Sequence, residues 1–181
     1  MNSPKQNGKN TLLILLLAFI LPVAVAKLVL SMDLYRGGAT NNGTLIAADT
    51  TYASLAMKNP KPQQWQILYL LPKDCQQKCQ NRLYILQQSH TALGKEKDRV
   101  HPVIMLDEHS DISALLPYQF ITHSVNSKLA ALLSEQKLII VDPLGSLIMS
   151  YPIVLNKDAQ IMQGKALIAD LRKLLKLSRI G

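Results

Sequence analysis

The chain has 181 residues, enough for about one domain, and it carries a formal charge of +8 with only 18% charged and 5% aromatic residues. Because this basicity is diffuse and is not interleaved with aromatic side chains, the composition argues against a nucleic-acid-binding protein. We therefore expect no nucleic acid among its partners.

The first predicted element is an apolar helix near the N-terminus. Residues 11–30 contain one charge, Lys27, and a helix of that length spans about 30 Å, the thickness of the hydrocarbon core of a bilayer. Lys5 and Lys9 precede it without an acidic residue, and the positive-inside bias then keeps residues 1–10 in the cytoplasm. The sequence thus predicts a single-pass membrane anchor with the rest of the chain exported.

A signal peptide is the alternative interpretation of this segment. Ala24-Val25-Ala26 has the small-x-small pattern of a cleavage site, and cleavage before Lys27 would release a soluble protein. Apolar residues continue beyond Lys27 to Leu30, past the usual apolar region of a signal peptide, which favours the uncut anchor. Residues 31–44 are rich in Gly, Asn and small polar residues and are predicted to be a linker.

Alternating apolar patterns predict one α/β domain over residues 45–181. The elements, in the order β-α-β-α-β-β-α, are the strands Trp65–Leu71, Pro102–Leu106, Lys137–Val141 and Ser146–Tyr151 and the helices Cys79–Leu93, Ser127–Gln136 and Gly164–Ile180. This order predicts a mixed sheet with helices on both faces, in which helical crossovers join the first three strands and the last strand forms a hairpin edge. It is the pattern of a thioredoxin-like fold.

The two cysteines lie four positions apart between the first predicted strand and helix. Cys75 is expected in the loop and Cys79 in the opening turn of the helix, where free backbone N–H groups and the helix dipole stabilise a thiolate. Lys73 and Lys78 favour the thiolate as well, whereas Asp74 opposes it. At this spacing, the two sulfurs can form a disulfide or bind one soft metal ion.

An inert disulfide that only stabilises the fold is the alternative. A loop this short contributes about 2 kcal/mol by loop closure, against about 4–5 kcal/mol for cysteines joined across most of a domain. Redox or metal chemistry is therefore favoured. We expect Cys75 to be exposed and to attack a partner disulfide, and Cys79 to be buried and to resolve the mixed disulfide.

Several features together resemble the Sco/SenC family, especially the short membrane-anchored Sco-like thioredoxin-fold proteins associated with bacterial cytochrome c oxidase biogenesis. They are the N-terminal anchor, the strand WQILYLLP, the pair CQQKC opening a helix, the turn IIVDPLG followed by SLIMSYP, and the basic last helix. The resemblance covers roughly residues 45–180. Its most specific element is the C-x-x-x-C spacing.

The resemblance implies a thioredoxin-like fold and two linked activities. One is Cu(I) binding through two thiolates and a distant histidine, and the other is thiol-disulfide exchange that keeps the cysteines of the oxidase copper site reduced. It also implies a bacterial inner-membrane protein with its C-terminal domain in the periplasm, and a cytochrome c oxidase subunit or its assembly factors as partners.

The sequence departs from the family pattern at two positions. Ser134 stands near the place of the family histidine, and Gln80 replaces the proline that usually follows the second cysteine. His123 is then the first candidate for a third metal ligand beside Cys75 and Cys79. The remaining candidates, ranked lower, are His90, His101 and His109.

The expected function is that of an exported thiol-disulfide reductase that assists assembly of the oxidase copper site. Two alternatives stay open: a Cu(I) metallochaperone without redox turnover, and a non-catalytic assembly factor. The acidic segment Asp107–Asp111 is interpreted as a solvated loop rather than a metal site. The chain has no G-x-S-x-G or H-E-x-x-H motif and no phosphate-binding glycine loop, which leaves hydrolase and nucleotide chemistry unsupported.

Overall fold

The computed structural model describes residues 8–31, 41–178 and 180. The chain forms two compact units, Met1–Thr40 and Asn41–Gly181. Residues 1–7 of the predicted cytoplasmic tail and residues 32–40 of the predicted linker lie outside the described residues.

The first unit contains a single helix, α1 (Gly8–Ser31), among its described residues. Its segment Asn10–Val29 is long and apolar enough to cross a membrane. The described side chains of this segment are almost all exposed to solvent, as expected for a helix whose apolar surface is covered by lipid rather than by protein. Pro22 lies inside the helix. The predicted apolar helix is thus present.

The second unit is built on a mixed six-stranded sheet in the order β1-β6-β5-β2-β3-β4. The strands are β1 (Thr44–Leu45), β2 (Trp65–Leu70), β3 (Val100–Leu106), β4 (Ile121–Ser124), β5 (Leu138–Val141) and β6 (Leu147–Tyr151). Strand β2 pairs in parallel with β3 and antiparallel with β5, and β3 pairs in parallel with β4. The central strands β2 and β5 are buried on both faces, which explains why they read as continuous apolar runs.

Helices cover both faces of this sheet. They are α2 (Gln77–Ala92), α3 (Ser127–Leu133) and α4 (Lys157–Leu177), with short 3-10 helices at Gly94–Arg99 and Ile112–Leu115. Helices α2 and α4 bury their apolar sides in one cluster with alternate residues of the sheet, and α3 packs in a second cluster on the other face. The predicted α/β architecture, a thioredoxin-like mixed sheet flanked by helices, is confirmed.

Two parts of the predicted topology are wrong. Strand β6 is not an edge, because the two-residue strand β1 pairs with it through Thr44 and Ser150. The connection from β3 to β5 is not a simple helical crossover either, because the edge strand β4 precedes α3. Both missed strands are short and largely exposed, so they lack an apolar pattern that the sequence would show.

The last helix begins seven residues before the predicted start at Gly164. Asn156 caps it, because its side chain accepts a hydrogen bond from the Ala159 amide. Gly164 instead lies mid-helix where α4 meets α2, and a Cβ there would come within 2.8 Å of Cγ2 of Ile85. Close helix approach, rather than a helix start, therefore explains this glycine.

Candidate functional site

The two cysteines meet at the carboxyl end of the central strand β2. Cys75 lies in the loop between β2 and α2, and Cys79 is the third residue of α2. A disulfide joins them, with a Cα–Cα distance of 5.1 Å. The loop and helix-start positions expected from the sequence are therefore the positions observed. The first turn of α2 leaves backbone N–H groups without helical acceptors, and these groups favour negative charge on a reduced sulfur.

The loop after β3 supports the segment that leads into Cys75. Ser110 Oγ donates a hydrogen bond to the Leu71 carbonyl at 2.8 Å, and the Asp111 amide donates to the Pro72 carbonyl at 3.0 Å. Parallel neighbouring strands end at the same edge of a sheet, which brings these two loops together. The cysteine loop is thus held from one side by a neighbour distant in sequence.

The carboxylate of Asp111 lies directly at the backbone of Cys75. Its Oδ2 accepts a hydrogen bond from the Cys75 amide at 3.4 Å, and its Oδ1 accepts one from Ser113 Oγ at 2.5 Å. The Ser113 hydroxyl lowers the pKa of Asp111, and burial, which acts in the opposite direction, is outweighed by further backbone hydrogen bonds. Asp111 is therefore ionised at neutral pH and fixes the backbone of Cys75.

Gln80, which stands where the Sco pattern has proline, has a defined contact. Its side-chain Nε2 donates a hydrogen bond to the Cys75 carbonyl at 3.3 Å, and its own amide donates to the Gln76 carbonyl at 3.0 Å. A proline can make neither bond because it has no amide hydrogen and no polar side chain. This residue therefore ties the cysteine loop to α2.

Cys75 is not exposed in the disulfide form, contrary to the expected division between an exposed and a buried thiol. The exposed fraction is 5% for Cys75 and 1% for Cys79. Both belong to the apolar cluster between the sheet and helices α2 and α4, which also includes Leu115 of the neighbouring 3-10 helix. Sequence spacing placed Cys75 in a loop, but it did not reveal the chain segment that covers it.

The candidate third ligand, His123, lies on the edge strand β4. Its register partner on β3 is Met105, and paired residues of neighbouring strands point to the same face of a sheet. Met105 packs in the cluster with α3, whereas both cysteines pack in the cluster with α2 and α4. The structure therefore brings Cys75 and Cys79 together but does not bring His123 to them, and its role as a ligand stays a prediction.

The other histidines are also apart from the cysteine pair. His90 lies in the last turn of α2 with Nε2 2.9 Å from the Lys97 carbonyl, His101 lies on β3, and His109 is exposed in the following loop. Burial and the charges of Lys61 and His90 lower the pKa of His101. Within residues 8–31, 41–178 and 180, no three His, Cys, Asp or Glu side chains are grouped so that they could hold one metal ion.

Ser134, near the expected place of the family histidine, is the exposed C-cap of α3. Glu135 and Gln136 follow with φ of 59° and 55°, in the left-handed region. The Gln136 carbonyl accepts hydrogen bonds from Arg82 Nε at 3.3 Å and Nη2 at 3.0 Å. Because Arg82 is about one helical turn after Cys79, this segment runs beside the helix that carries the second cysteine.

Arg82 and Asp111 lie near the cysteine pair, and the sequence patterns did not indicate this for either residue. Arg82 is 1% exposed, and burial lowers its pKa to about 10 although the nearby Tyr69 acts against this. An arginine in a helix with many polar residues is expected to be exposed to solvent, so the sequence around Arg82 did not indicate that it is buried. Asp111 was assigned to a solvated loop. Its position just after a strand parallel to β2 is the signal that points to the cysteine edge.

Comparison with known families settles the class of the domain. Residues 65–178 match the family described as the transmembrane-like, thioredoxin-like C-terminal domain. The chain belongs to this family. Comparison with curated protein sequences gives no match.

Solved structures with a similar fold include Sco proteins. Apo Sco1 from Thermus thermophilus has a TM-score of 0.53 at 14% identity, covering 76% of this thioredoxin-like protein and 99% of Sco1. Copper-bound yeast Sco1 has a TM-score of 0.49 at 12% identity, covering 65% and 81% of the two chains. A putative thiol:disulfide interchange protein DsbE from Chlorobium tepidum has a TM-score of 0.47 at 11% identity, covering 71% and 94%. The first of these similarities supports the Sco-like fold that the sequence predicted.

The donor set of this thioredoxin-like protein fits Cu(I) only after reduction. Both sulfurs are bonded to each other in the disulfide form, and each becomes a thiolate donor when the bond is reduced. Two soft sulfur ligands suit Cu(I), whereas an imidazole ligand would have to come from His123 on the other face or from elsewhere. The residues present therefore fit two of the three ligands that the resemblance implies.

Proposed function

We propose that this protein is a membrane-anchored, exported thiol-disulfide reductase that assists copper-site assembly of cytochrome c oxidase through Cys75 and Cys79. The observation that carries the proposal is the disulfide at the junction of β2 and α2 in a thioredoxin-like fold. This junction places the first turn of α2, the positive end of its helix dipole, at the two sulfurs. That position favours a reactive dithiol over a simple structural bridge.

In the proposed reaction, the reduced Cys75 thiolate attacks one sulfur of a partner disulfide. A Cys75–partner bond forms, and the second partner sulfur leaves as a thiolate. The Cys79 thiolate then attacks the Cys75 sulfur, which releases the first partner sulfur and forms the Cys75–Cys79 disulfide. Two electrons pass to the partner, so a dithiol reductant outside the cytoplasm must regenerate the pair. The fixed backbone at Cys75, held by Asp111 and Gln80, orients the attacking sulfur.

The proposed location is the bacterial inner membrane with residues 45–181 in the periplasm. The apolar helix α1 supports a single membrane crossing, and Lys5 and Lys9 favour a cytoplasmic N-terminus. An exported location permits a disulfide to persist, whereas the cytosol keeps such pairs reduced. A reporter fused after Ser31 is expected outside the cytoplasm, and a cytoplasmic reporter would contradict the proposal.

Trapping a mixed disulfide tests the redox role. In Cys79→Ser the resolving thiol is absent, so Cys75 should remain bonded to its partner and the adduct should be isolable from native membranes under non-reducing conditions. The matched variant Cys75→Ser keeps one thiol at the same site and should give little adduct. Equal adducts from both variants would contradict the assigned roles. Failure of oxidase assembly in cells that carry both substitutions would show that the cysteine pair acts in this process. Normal assembly would contradict the proposed role in oxidase assembly.

A Cu(I) metallochaperone without redox turnover is the second candidate. The two sulfurs at one site support it, because a reduced pair offers two soft ligands. The segment at Ser134 runs beside α2, so Ser134→His introduces an imidazole near the place where the family pattern has one. In a competition titration with a Cu(I) chelator under reducing conditions, we expect Ser134→His to tighten binding and His123→Ala to change it little. A large loss of Cu(I) affinity in His123→Ala would favour the metallochaperone over the reductase.

A further inference from the structure

A cavity of about 370 Å³ lies at the end of α2 that is remote from the disulfide. The short 3-10 helix Gly94–Arg99 and the last turns of α4 form its walls. The residues that line it, together called the basic pocket, are Leu93, Lys95, Glu96, Arg172, Leu175 and Lys176. Leu93 and Leu175 are 4% and 3% exposed, so the floor of the cavity is apolar and part of the core.

The charges around this basic pocket do not cancel. Glu96 pairs with Arg99 at 2.8 Å and is thereby neutralised. Arg172 Nη2 donates a hydrogen bond to the Ala92 carbonyl at 2.9 Å, which holds the guanidinium at the rim. In the part of the chain that the structure describes, no carboxylate forms an ion pair with Lys95, Arg172 or Lys176. Three cations thus surround one small cavity, an arrangement that suits an anion carrying several oxygen acceptors.

The chain enters the domain at the same helix. The amides of Asn42 and Gly43 donate hydrogen bonds to Oδ2 of Asp170 at 2.7 and 2.9 Å. Lys176 follows Asp170 on α4 by about 9 Å along the helix axis. Ten residues separate Ser31 from Asn42, and a chain of that length reaches at most about 40 Å whatever its conformation. A tether of this length therefore permits this part of the domain to contact a membrane that holds the anchor.

We propose that the basic pocket binds the phosphate headgroup of an anionic phospholipid in the membrane that holds α1. The inference rests on an uncut anchor, as in the proposed location, and goes beyond the redox function. A phosphate diester supplies the oxygen acceptors for the three cations around the cavity. A lipid surface also presents this anion at high local concentration to a tethered domain.

Headgroup binding would orient the disulfide. Cys79 and Leu93 are separated by about 21 Å along α2, so the pocket and the cysteine pair lie at opposite ends of this helix. When the pocket contacts the lipid surface, Cys75 and Cys79 face away from it. The pair is then presented to a partner domain that projects from the same membrane.

Lysine footprinting of the full chain in lipid nanodiscs tests the proposal. Discs of phosphatidylcholine are compared with discs containing about 30% phosphatidylglycerol, at about 0.05 M and 0.5 M salt. Acylation of Lys95 and Lys176 is measured by mass spectrometry, with the exposed Lys58 and Lys128 as internal references. We expect Lys95 and Lys176 to be protected only in the anionic discs and only at low salt, with the references unchanged.

Substitution of Arg172 adds a matched set of variants. Each basic residue near an anionic surface changes the ratio of bound to unbound domain by about fivefold. Arg172→Gln should lower that ratio by this factor, Arg172→Lys should restore it, and Lys128→Gln, with the same charge change elsewhere, should leave it unchanged. An equal decrease of this ratio in Arg172→Gln and Lys128→Gln would show that only the overall charge matters. That result would overturn the proposal that the basic pocket binds the headgroup.

Two further outcomes would overturn the proposal. Protection by glycerol 3-phosphate in phosphatidylcholine discs would show that the pocket takes a soluble phosphate instead of a lipid, and no protection in any disc would show that it takes neither. Loss of the chain from the discs would show a cleaved anchor and overturn it as well. The redox function is measured separately through mixed-disulfide trapping, so its failure and the failure of lipid binding are distinguishable.

Discussion

Asp170 holds the start of the domain, and its removal should cost considerable stability. The carboxylate is 1% exposed and accepts hydrogen bonds from the Asn42 amide and side chain, from the Gly43 amide and from the Tyr151 hydroxyl at 2.7–3.0 Å. In Asp170→Asn, one acceptor oxygen becomes an NH₂ group that faces donors. If the NH₂ group replaces Oδ1, the bond from the Asn42 side chain is lost and the three bonds to Oδ2 go to a neutral acceptor. A hydrogen bond to a charged group contributes about 1.5–3 kcal/mol and one to a neutral group about 0.5–1.5 kcal/mol, so the free energy of unfolding should fall by about 3 kcal/mol or more.

The pH dependence of this loss gives a second test. Burial alone would raise the pKa of Asp170, but the hydrogen bonds from Gly43, Tyr151 and Asn42 outweigh it and hold the pKa below its ordinary value. The stabilisation is therefore complete above the unfolded pKa of about 3.9 and is lost as the pH falls through the folded pKa. The difference between wild type and Asp170→Asn should be constant near neutral pH and should shrink in acid.

Urea unfolding of the full chain in detergent measures both quantities. The single tryptophan, Trp65, is 4% exposed in the domain core, and its fluorescence reports the transition. The exposed Asp49 provides the control, since Asp49→Asn should change stability by less than about 0.5 kcal/mol. A loss in Asp170→Asn as small as in this control, or one that grows in acid, would refute the reasoning.

Three further predictions concern a helix cap, the packing and the anchor. Asn126 caps α3 and donates to the Leu55 carbonyl, so Asn126→Ala should cost about 1–2 kcal/mol in the same unfolding assay, and an unchanged midpoint would contradict this. Gly164→Ala should lower the free energy of unfolding by about 1–3 kcal/mol because the new Cβ meets Ile85. In a chain that already carries Ile85→Ala, Gly164→Ala should cost less than it does in the wild type. The full chain should stay with membranes in a high-salt wash, whereas cleavage before Lys27 would release it.

The sequence predicted the elements with strong patterns and missed those without them. The strands at Trp65, Lys137 and Ser146 were found because they are short runs rich in apolar residues, and the helix after Cys79 was found because its apolar residues have helical spacing. Strands β1 and β4 are short and exposed, and pairing across the sheet, which no local pattern encodes, defines them. The last helix was predicted to begin too late because its first turn is polar and is specified by the cap at Asn156.

The site was predictable in its covalent part and not in its surroundings. The spacing of Cys75 and Cys79 after a strand was enough to predict that the two sulfurs meet. The burial of Cys75 and the contact with Asp111 depend on a loop that follows a different strand. The face to which His123 points depends on its register with β3, which sequence distance from the cysteines cannot give.

The reduction potential of the cysteine pair tests the central claim most directly. The full chain is equilibrated in dithiol redox buffers, trapped with an alkylating agent and weighed, and its two cysteines make the mass shift specific to Cys75 and Cys79. A pair that reduces partner disulfides should have a potential between about −270 and −180 mV, the interval from thioredoxin to protein disulfide isomerase. A potential below about −300 mV, as in structural disulfides, would contradict the proposed reductase.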